Sequence, residues 1–490
     1  MSTARTHAKV VRLDALLGAA GAGATEIAGL TADSRSAAPG YLFAALPGSR
    51  DDGTAYIPDA VERGAVAVLV RKGTRVAEER VAVVEDLCPR RRFAEMVARF
   101  YGRRPDVMAA VTGTNGKTSV ASFARQLWHA LGIEGASIGT LGVKSRSFTR
   151  PGKLTSPDPV TLHAALARLA AKGVSHAVCE ASSHGLAQHR LDGVRFHAAA
   201  FSNLTRDHLD YHGTFEAYFH AKARLFADLL DENATAVIHL DSEHGRRMAA
   251  LAIGCGRQLL GVGRSREAAL QLRSCTVSGE GQRLEIAFEG RSHVVDFPLA
   301  GAFQAENALL AAGLVIACGA GAAEVLPLLA GLAPVPGRLE KVAVSKGGGA
   351  IYIDYAHTPD GLGKALEALR PHTQGKLVLV FGCGGDRDRG KRPQMGAIAT
   401  ACADRVIVTD DNPRGEDPVA IRREILAAAP QASEIGDRRA AIVAAIETLA
   451  PGDTLLIAGK GHEEGQIIGD RVFPFSDIAV VRAAIEGRET

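Results

Sequence analysis

Residues 112–118, Thr-Gly-Thr-Asn-Gly-Lys-Thr, carry the most specific chemistry in this chain. A short apolar run at 108–111 reads as a buried strand, and Lys117-Thr118 open a helical pattern that ends near Leu131. Gly113 and Gly116 let the backbone turn so that its N–H groups face an anion, and the helix adds its positive end. From there Lys117 reaches the outer phosphates of a nucleoside triphosphate, and Thr118 can ligate Mg²⁺. The strict phosphate-loop pattern has a further glycine where this chain has Val111, so the loop is a variant.

Five other constellations could do chemistry. Glu180 ends an apolar run at 177–180, and a carboxylate at a strand tip beside a phosphate loop can hold Mg²⁺ directly or through water. Residues 201–213 place His208, His212, Asp207 and Asp210 close together. The histidines have the spacing of a zinc helix, but the glutamate is missing and Gly213 follows; a second Mg²⁺ near His208 is preferred, and a metal-free hydrogen-bonded loop is the alternative. Lys222 falls on the apolar face of a helix expected over 215–230, with Phe215, Tyr218, Phe219, Leu225, Phe226 and Leu229. Such a lysine usually snorkels to solvent. Buried beside a cation it would be held neutral, and a neutral amine can take up CO₂ as a carbamate that offers the cation an anionic oxygen. Residues 382–393 mix glycines with basic side chains and can wrap an anion, or be a solvated charged loop. Asp411-Asn412-Pro413-Arg414 is a plain turn or a rigid mount from which Arg414 grips a carboxylate.

The elements that must position these residues read as an α/β protein. With 490 residues the length suggests about three domains. A net charge of only +3 argues for no nucleic-acid surface, and the seven scattered cysteines form no CxxC pair, so reduced thiols in a cytoplasmic protein are expected. No signal-peptide core stands at the start, and the apolar stretch 308–333 is broken by Glu324 and glycines, so buried helices rather than a membrane span are expected. Residues 1–105 hold short strand-like runs (41–46, 65–70, 81–84) and a helix near 90–101. From 106 to 335 strands and helices alternate as in a mostly parallel sheet, with a β-hairpin excursion at 260–297. Beyond Pro334-Val335-Pro336-Gly337, residues 336–490 read as an open α/β sheet with strands at 350–354, 376–381, 405–409 and 454–458. Ligands of such sheets lie at the carboxyl ends of the strands. Polar segments at 355–357, 382–387, 410–414 and 459–463 follow those four runs.

Taken together the segments resemble the Mur ligase family, the ATP-dependent amide ligases of peptidoglycan precursor synthesis. The resemblance rests on Thr-Ala-Asp-Ser-Arg at 31–35, residues 48–53, the phosphate loop, Glu-Ala-Ser-Ser-His-Gly-Leu at 180–186, Gln188-His189-Arg190, Lys222, Asn307, Pro-Gly-Arg-Leu-Glu at 336–340, Asp-Tyr-Ala-His-Thr-Pro-Asp at 354–360 and Gly-Lys-Gly-His-Glu at 459–463. Asp-Asn-Pro-Arg at 411–414 resembles the signature of members that add meso-diaminopimelate. What this implies is an N-terminal UDP-binding α/β domain, a central P-loop ATPase-like parallel sheet and a C-terminal Rossmann-like α/β domain.

It also implies the substrates ATP, UDP-MurNAc-L-Ala-D-Glu and meso-diaminopimelate, Mg²⁺ as cofactor, a cytoplasmic monomer, and neither nucleic-acid partners nor membrane insertion. By the same resemblance Ala32, Ser34, Ser49, Arg50 and Asp51 would hold the uridine end, and Thr155, Ser156, Ser182, Gln188 and Arg190 the diphosphate, sugar and peptide. Gly113, Thr114, Asn115, Gly116, Lys117, Thr118 and Ser119 would cradle ATP, with Asn307, Arg338 and His357 on its far side. Thr118, Glu180, His208 and carbamylated Lys222 would support Mg²⁺; Arg387, Asp411, Asn412, Pro413, Arg414, Gly459 and Glu463 would bind diaminopimelate. Leu154 and Gln304 depart from the family pattern, so no polar role is carried onto Leu154, and Asn307 is the safer nucleotide contact. A folylpolyglutamate synthetase or another Mur ligase is disfavoured by Asp-Asn-Pro-Arg and Thr-Ala-Asp-Ser-Arg. A nucleotide-dependent switch would need a guanine-reading Asn-Lys-x-Asp segment, which this chain lacks.

Overall fold

The structure is a computed structural model that describes residues 9–18, 24–48, 51–152 and 154–488. Among the described residues the strands form three main sheets, one after another along the chain. The first is a parallel sheet of β1 (Gly29–Thr31), β2 (Tyr41–Ala44), β3 (Ala67–Arg71) and β4 (Ala82–Asp86), followed by helix α1 (Pro89–Tyr101).

The central sheet contains β5 (Val107–Thr112), β6 (Gly135–Gly139), β7 (Gly142–Lys144), β8 (Thr149–Arg150), β9 (His176–Glu180), β10 (Phe196–Phe201), β11 (Leu230–His239), β12 (Gln258–Gly263), β13 (Leu270–Ser278), β14 (Gly281–Phe288) and β15 (Arg291–Phe297). Its spatial order is β8-β7-β6-β9-β5-β10-β11-β12-β13-β14-β15. Helices α2 (Lys117–Ala130), α3 (Pro159–Ala171), α4 (Phe215–Arg224) and α5 (Ala302–Ala317) cover it. Strand β5 reads as a continuous apolar run because both its faces are covered. Met108 and Ala110 pack toward Leu162, Leu166 and Phe219, while Ala109 and Val111 pack toward Val120, Phe123 and Leu309.

The structure corrects three expectations here. Residues 260–297 are not an excursion: β12 pairs in parallel with β13 at Val262↔Leu270 and Gly263↔Gln271, and β13–β15 carry the same sheet on as an antiparallel meander. The central sheet is therefore mixed, with antiparallel strands at both margins. The helix expected over 215–230 is regular only to Arg224; a π turn at Leu225–Leu229 then leads into β11. Phe215, placed on the buried face by periodicity, is 38% exposed, because it stands at the first turn beyond the edge of the covering layer.

The third sheet runs β16-β17-β21-β18-β19-β20, built from β16 (Glu340–Val344), β17 (Ala350–Asp354), β18 (Leu377–Phe381), β19 (Arg405–Val408), β20 (Ser433–Glu434) and β21 (Thr454–Ala458). Helices α6 (Pro359–Leu369), α7 (Lys391–Cys402), α8 (Pro418–Leu426), α9 (Arg438–Glu447) and α10 (Asp477–Glu486) lie on its two faces. The antiparallel β16 and a hairpin of β22 (Gly465–Ile468) and β23 (Arg471–Pro474) are elements the sequence pattern did not reveal. All seven cysteines are unpaired, and no helix among the described residues is long and apolar enough to cross a membrane.

Candidate active site

Parallel pairing brings three strand ends together. Glu180 stands opposite Val111, and Phe201 opposite Thr112, so the segments after β9 and β10 flank the loop after β5. Gly113 and Gly116 adopt φ of +149° and +90°. A Cβ would lie 1.9 Å from Ser202 Oγ at the first and 2.3 Å from Asn307 Oδ1 at the second, so only glycine fits. The Asn115 N–H donates to Asn203 Oδ1 (2.9 Å), and Thr114 Oγ1 accepts from the Thr205 N–H (3.0 Å). Lys117 Nζ folds back on the Gly113 and Thr114 carbonyls at 2.9 and 2.8 Å. Burial lowers its pKa against the opposing charges of Glu180 and Asp207.

The Glu180 carboxylate is buried and accepts from Thr118 Oγ1 (2.9 Å), Thr140 Oγ1 (3.0 Å) and the Thr140 N–H (2.9 Å). A hydroxyl and a carboxylate in contact beside a phosphate loop are hard oxygen donors, which suit Mg²⁺ and not a softer metal. Gly139 is needed for this contact, since a Cβ there would lie 2.0 Å from Glu180 Oε1.

Lys222 does not snorkel. It is 1% exposed, its Nζ donates to the Gly113 carbonyl (2.8 Å) and lies 4.4 Å from the Tyr218 ring centroid. Burial first, and the charge of Lys117 second, hold its pKa well below the usual lysine range, the condition for a neutral amine. His208, at φ +54°, has its ring 3.3 Å from Asp207, and burial pushes its pKa down to about 3. Burial alone would raise the Asp207 carboxyl. The His357 ring, 3.7 Å away, with His208 and Lys391 nearby, holds it far below the usual range.

A cavity of about 650 Å³ opens over the phosphate loop and is shared between the central and third sheets. Thr114 to Ser119, Thr155, Glu180, His208, Asn307, Arg338 and His357 all line it. Arg338 Nη2 donates to Thr118 Oγ1 (3.3 Å), its guanidinium lies 4.4 Å from the Tyr355 ring centroid, and Asn115 Nδ2 donates to Asp360 Oδ2 (3.0 Å). A second cavity, about 660 Å³, lies between the first and central sheets, and Ala32, Gln188 and Arg190 line it.

Four of the residues expected to hold the UDP-linked substrate line neither cavity. Ser34 is buried, and Asp51 is exposed. Ser156 and Ser182 form an interior link, with Ser156 Oγ on the Glu180 carbonyl (2.8 Å) and 3.0 Å from Ser182 Oγ. Ser49 and Arg50 lie outside the described residues.

The residues expected to bind the amino acid lie on the segments that follow β18, β19 and β21. Asn412 Nδ2 donates to Glu463 Oε2 (3.0 Å), and the buried Lys460 donates to both Asn412 Oδ1 (2.9 Å) and Glu463 Oε2 (3.0 Å). Arg414, at φ +51°, donates to the Gly385 carbonyl (2.9 Å) and repels the nearby Arg387. Neither guanidinium has a carboxylate partner among the described residues. Asp411 Oδ2 would lie 2.5 Å from a Cβ at Gly459, whose φ is +116°. Thr140 and Asn203 carry no role in the sequence reading, Tyr218 figures there only as a core residue, and Lys460 only as a member of the 459–463 segment. Each acts through a partner distant in the chain; the apolar pattern around Tyr218 and the strand-end position of 459–463 are the signals that mark two of them.

Three family models match along the chain: the Mur ligase family catalytic domain over residues 26–104, the Mur ligase middle domain over 111–315, and the Mur ligase glutamate ligase domain over 337–461. The chain is 52% identical over 463 residues to UDP-N-acetylmuramoyl-L-alanyl-D-glutamate--2,6-diaminopimelate ligase of Agrobacterium fabrum, covering 94% of each. It is 50% identical over 467 residues to the protein of that name from Brucella melitensis biotype 1, covering 95% of this chain and 96% of that one. A solved structure of a ligase of the same name is similar at TM-score 0.67 and 36% identity, over 94% of both chains.

Proposed function

The chain belongs to the Mur ligase family, and from that premise we propose that it joins meso-2,6-diaminopimelate to UDP-N-acetylmuramoyl-L-alanyl-D-glutamate, with ATP as energy source, in peptidoglycan precursor synthesis. The observation that carries this reading is the pair Arg387 and Arg414. Two guanidiniums close enough to repel, neither with a carboxylate partner among the described residues, on the segments that follow the neighbouring strands β18 and β19, suit a diacid.

We take residues 1–105 as the UDP-sugar-binding domain, 106–335 as the ATP-binding domain and 336–490 as the amino-acid-binding domain. Residues 113–119 cradle the triphosphate of ATP through backbone N–H groups, with Asn307, Arg338 and His357 closing over it. Ala32, Gln188 and Arg190 hold the UDP-linked substrate in the second cavity; the family resemblance assigns its uridine end to Ser34, Ser49, Arg50 and Asp51, Thr155 faces the phosphate-loop cavity, and Ser156, linked to Ser182, supports Arg190 through its carbonyl. Thr118, Glu180, His208 and Lys222 as its carbamate hold Mg²⁺, which when bound screens charge between carboxylate and phosphate.

The D-Glu γ-carboxylate attacks the γ-phosphorus of ATP; an O–P bond forms and ADP leaves. Lys117 lowers the repulsion between these anions. The neutral amine at the L-centre of diaminopimelate then attacks the acyl carbon, and phosphate departs with the electrons of the broken C–O bond. Arg414 and Arg387 hold the distal carboxylate and so aim the amine, with Asp411, Asn412, Pro413, Gly459 and Glu463 around the rest of the amino acid. Both nucleotides are cytoplasmic metabolites, and the enzyme works there as a monomer.

Phosphate release tests the reading. With ATP and the UDP-linked dipeptide, turnover should require diaminopimelate and should not be supported by lysine or glutamate. Turnover with lysine as good as with diaminopimelate would overturn the assignment of the acceptor.

A further inference from the structure

Residues 411–414 and 459–463, read above as the acceptor site, leave the third sheet from β19 and β21. These strands are not neighbours, because β18 lies between them. At about 4.8 Å per strand the two ends stand roughly 10 Å apart, and no ladder hydrogen bond joins them.

At its base a buried side chain spans that gap. Arg438, the first residue of α9, is 2% exposed overall, and its Nη2 donates to the carbonyl of Ala458 (3.0 Å), the last residue of β21. Its Nη1 donates to the carbonyl of Asp410 (3.4 Å), immediately ahead of the 411–414 segment. Nε and Nη2 also bind the carboxylate of Asp477, equally buried in the first turn of α10, at 2.8 and 2.7 Å. A buried ion pair is a poor device for stability alone, since apolar side chains of similar volume serve as well. This pair holds a guanidinium fork in the one orientation that reaches both carbonyls.

We propose that Arg438 is a positioning residue for the amine-bearing substrate, fixing the separation of the two acceptor segments while Asp477 sets its orientation. Further out the segments are tied again, where Lys460 and Glu463 meet Asn412 and where Gln466, Ile467 and Gly469 of the following hairpin bond to residues 411–414; among the described residues Arg438 alone bridges the strand ends themselves. Arg438 and Asp477 line neither cavity, so they act through backbone placement and not by touching substrate.

The inference rests on the acceptor reading, and the test separates the two. In full-length Arg438→Lys the charge remains for Asp477, but an ammonium cannot reach the carboxylate and both carbonyls together. KM for diaminopimelate should rise at least tenfold, with KM for ATP and for the UDP-linked dipeptide within twofold of wild type. Acyl phosphate formation, trapped as the hydroxamate by hydroxylamine without diaminopimelate, should be unchanged. Asp477→Asn should raise the same KM by less, and it carries the test alone if Arg438→Lys is insoluble. An unchanged KM for diaminopimelate, equal rises in all three constants, or loss of the hydroxamate overturns the proposal. If Arg414→Ala also leaves that KM unchanged, the acceptor reading falls; if it raises it and Arg438→Lys does not, only the positioning role falls.

Discussion

Replacing Lys222 with methionine keeps the volume of a buried side chain and removes a single titration. The amine is buried against Tyr218 and the Gly113 carbonyl, and burial holds its pKa well below the ordinary lysine value of about 10.4. Between the depressed folded value and the unfolded one, the unfolded chain binds a proton at this site and the folded chain does not. Stability therefore rises with pH across that window, by about 1.4 kcal/mol per pH unit from this group alone, and levels off above about pH 10.4. Lys117, also lowered by burial, is common to both proteins and largely cancels in the difference. Trp128, the single tryptophan, is wholly buried on α2, so its fluorescence reports unfolding of the central region that contains Lys222. Urea unfolding in CO₂-free buffer, from about pH 8 to 10, should show the stability of wild type relative to Lys222→Met climbing at that slope. A difference that is flat with pH would mean that Lys222 is protonated in the folded protein. The argument for a neutral amine, and for the carbamate built on it, would then fail.

Lys222→Ala should lose nearly all turnover, and acetate should restore part of it; full activity without rescue would remove the carbamate. Arg414→Ala should raise KM for diaminopimelate roughly 10- to 100-fold, the worth of charged hydrogen bonds of about 1.5–3 kcal/mol, while KM for ATP stays near wild type. Gly139→Ala would place a methyl group 2.0 Å from Glu180 Oε1. The carboxylate must move away from Thr118, and kcat should fall on the order of 100-fold in steady-state phosphate release, with the KM for diaminopimelate unaffected.

Much of this molecule was legible in its residues because the relevant physics is local. A strand, a glycine turn and a helix start within residues 107–118 make an anion cradle from neighbouring atoms, so the phosphate loop could be read directly. The inner strands β5, β18 and β21 stand out because both faces are covered, which turns each into a nearly unbroken apolar run. The alternating pattern of the meander at 270–297 describes only its own hairpins, whereas its union with the main sheet rests on two residue pairs with β12.

Lys222 marks the boundary between the two kinds of information. Periodicity set it on the apolar face of its helix, and nothing local said whether the amine would reach water. That was decided by the Gly113 carbonyl, more than a hundred residues away, which takes the proton donor and closes the site over it. The contacts of Glu180 with Gly139 and Thr118, of Arg338 with Thr118 and of Arg438 with two strand ends are of the same sort. Chemistry written into a short segment belongs to the sequence; the burial, spacing and pKa of its groups depend on which distant segments the folded sheets bring against them.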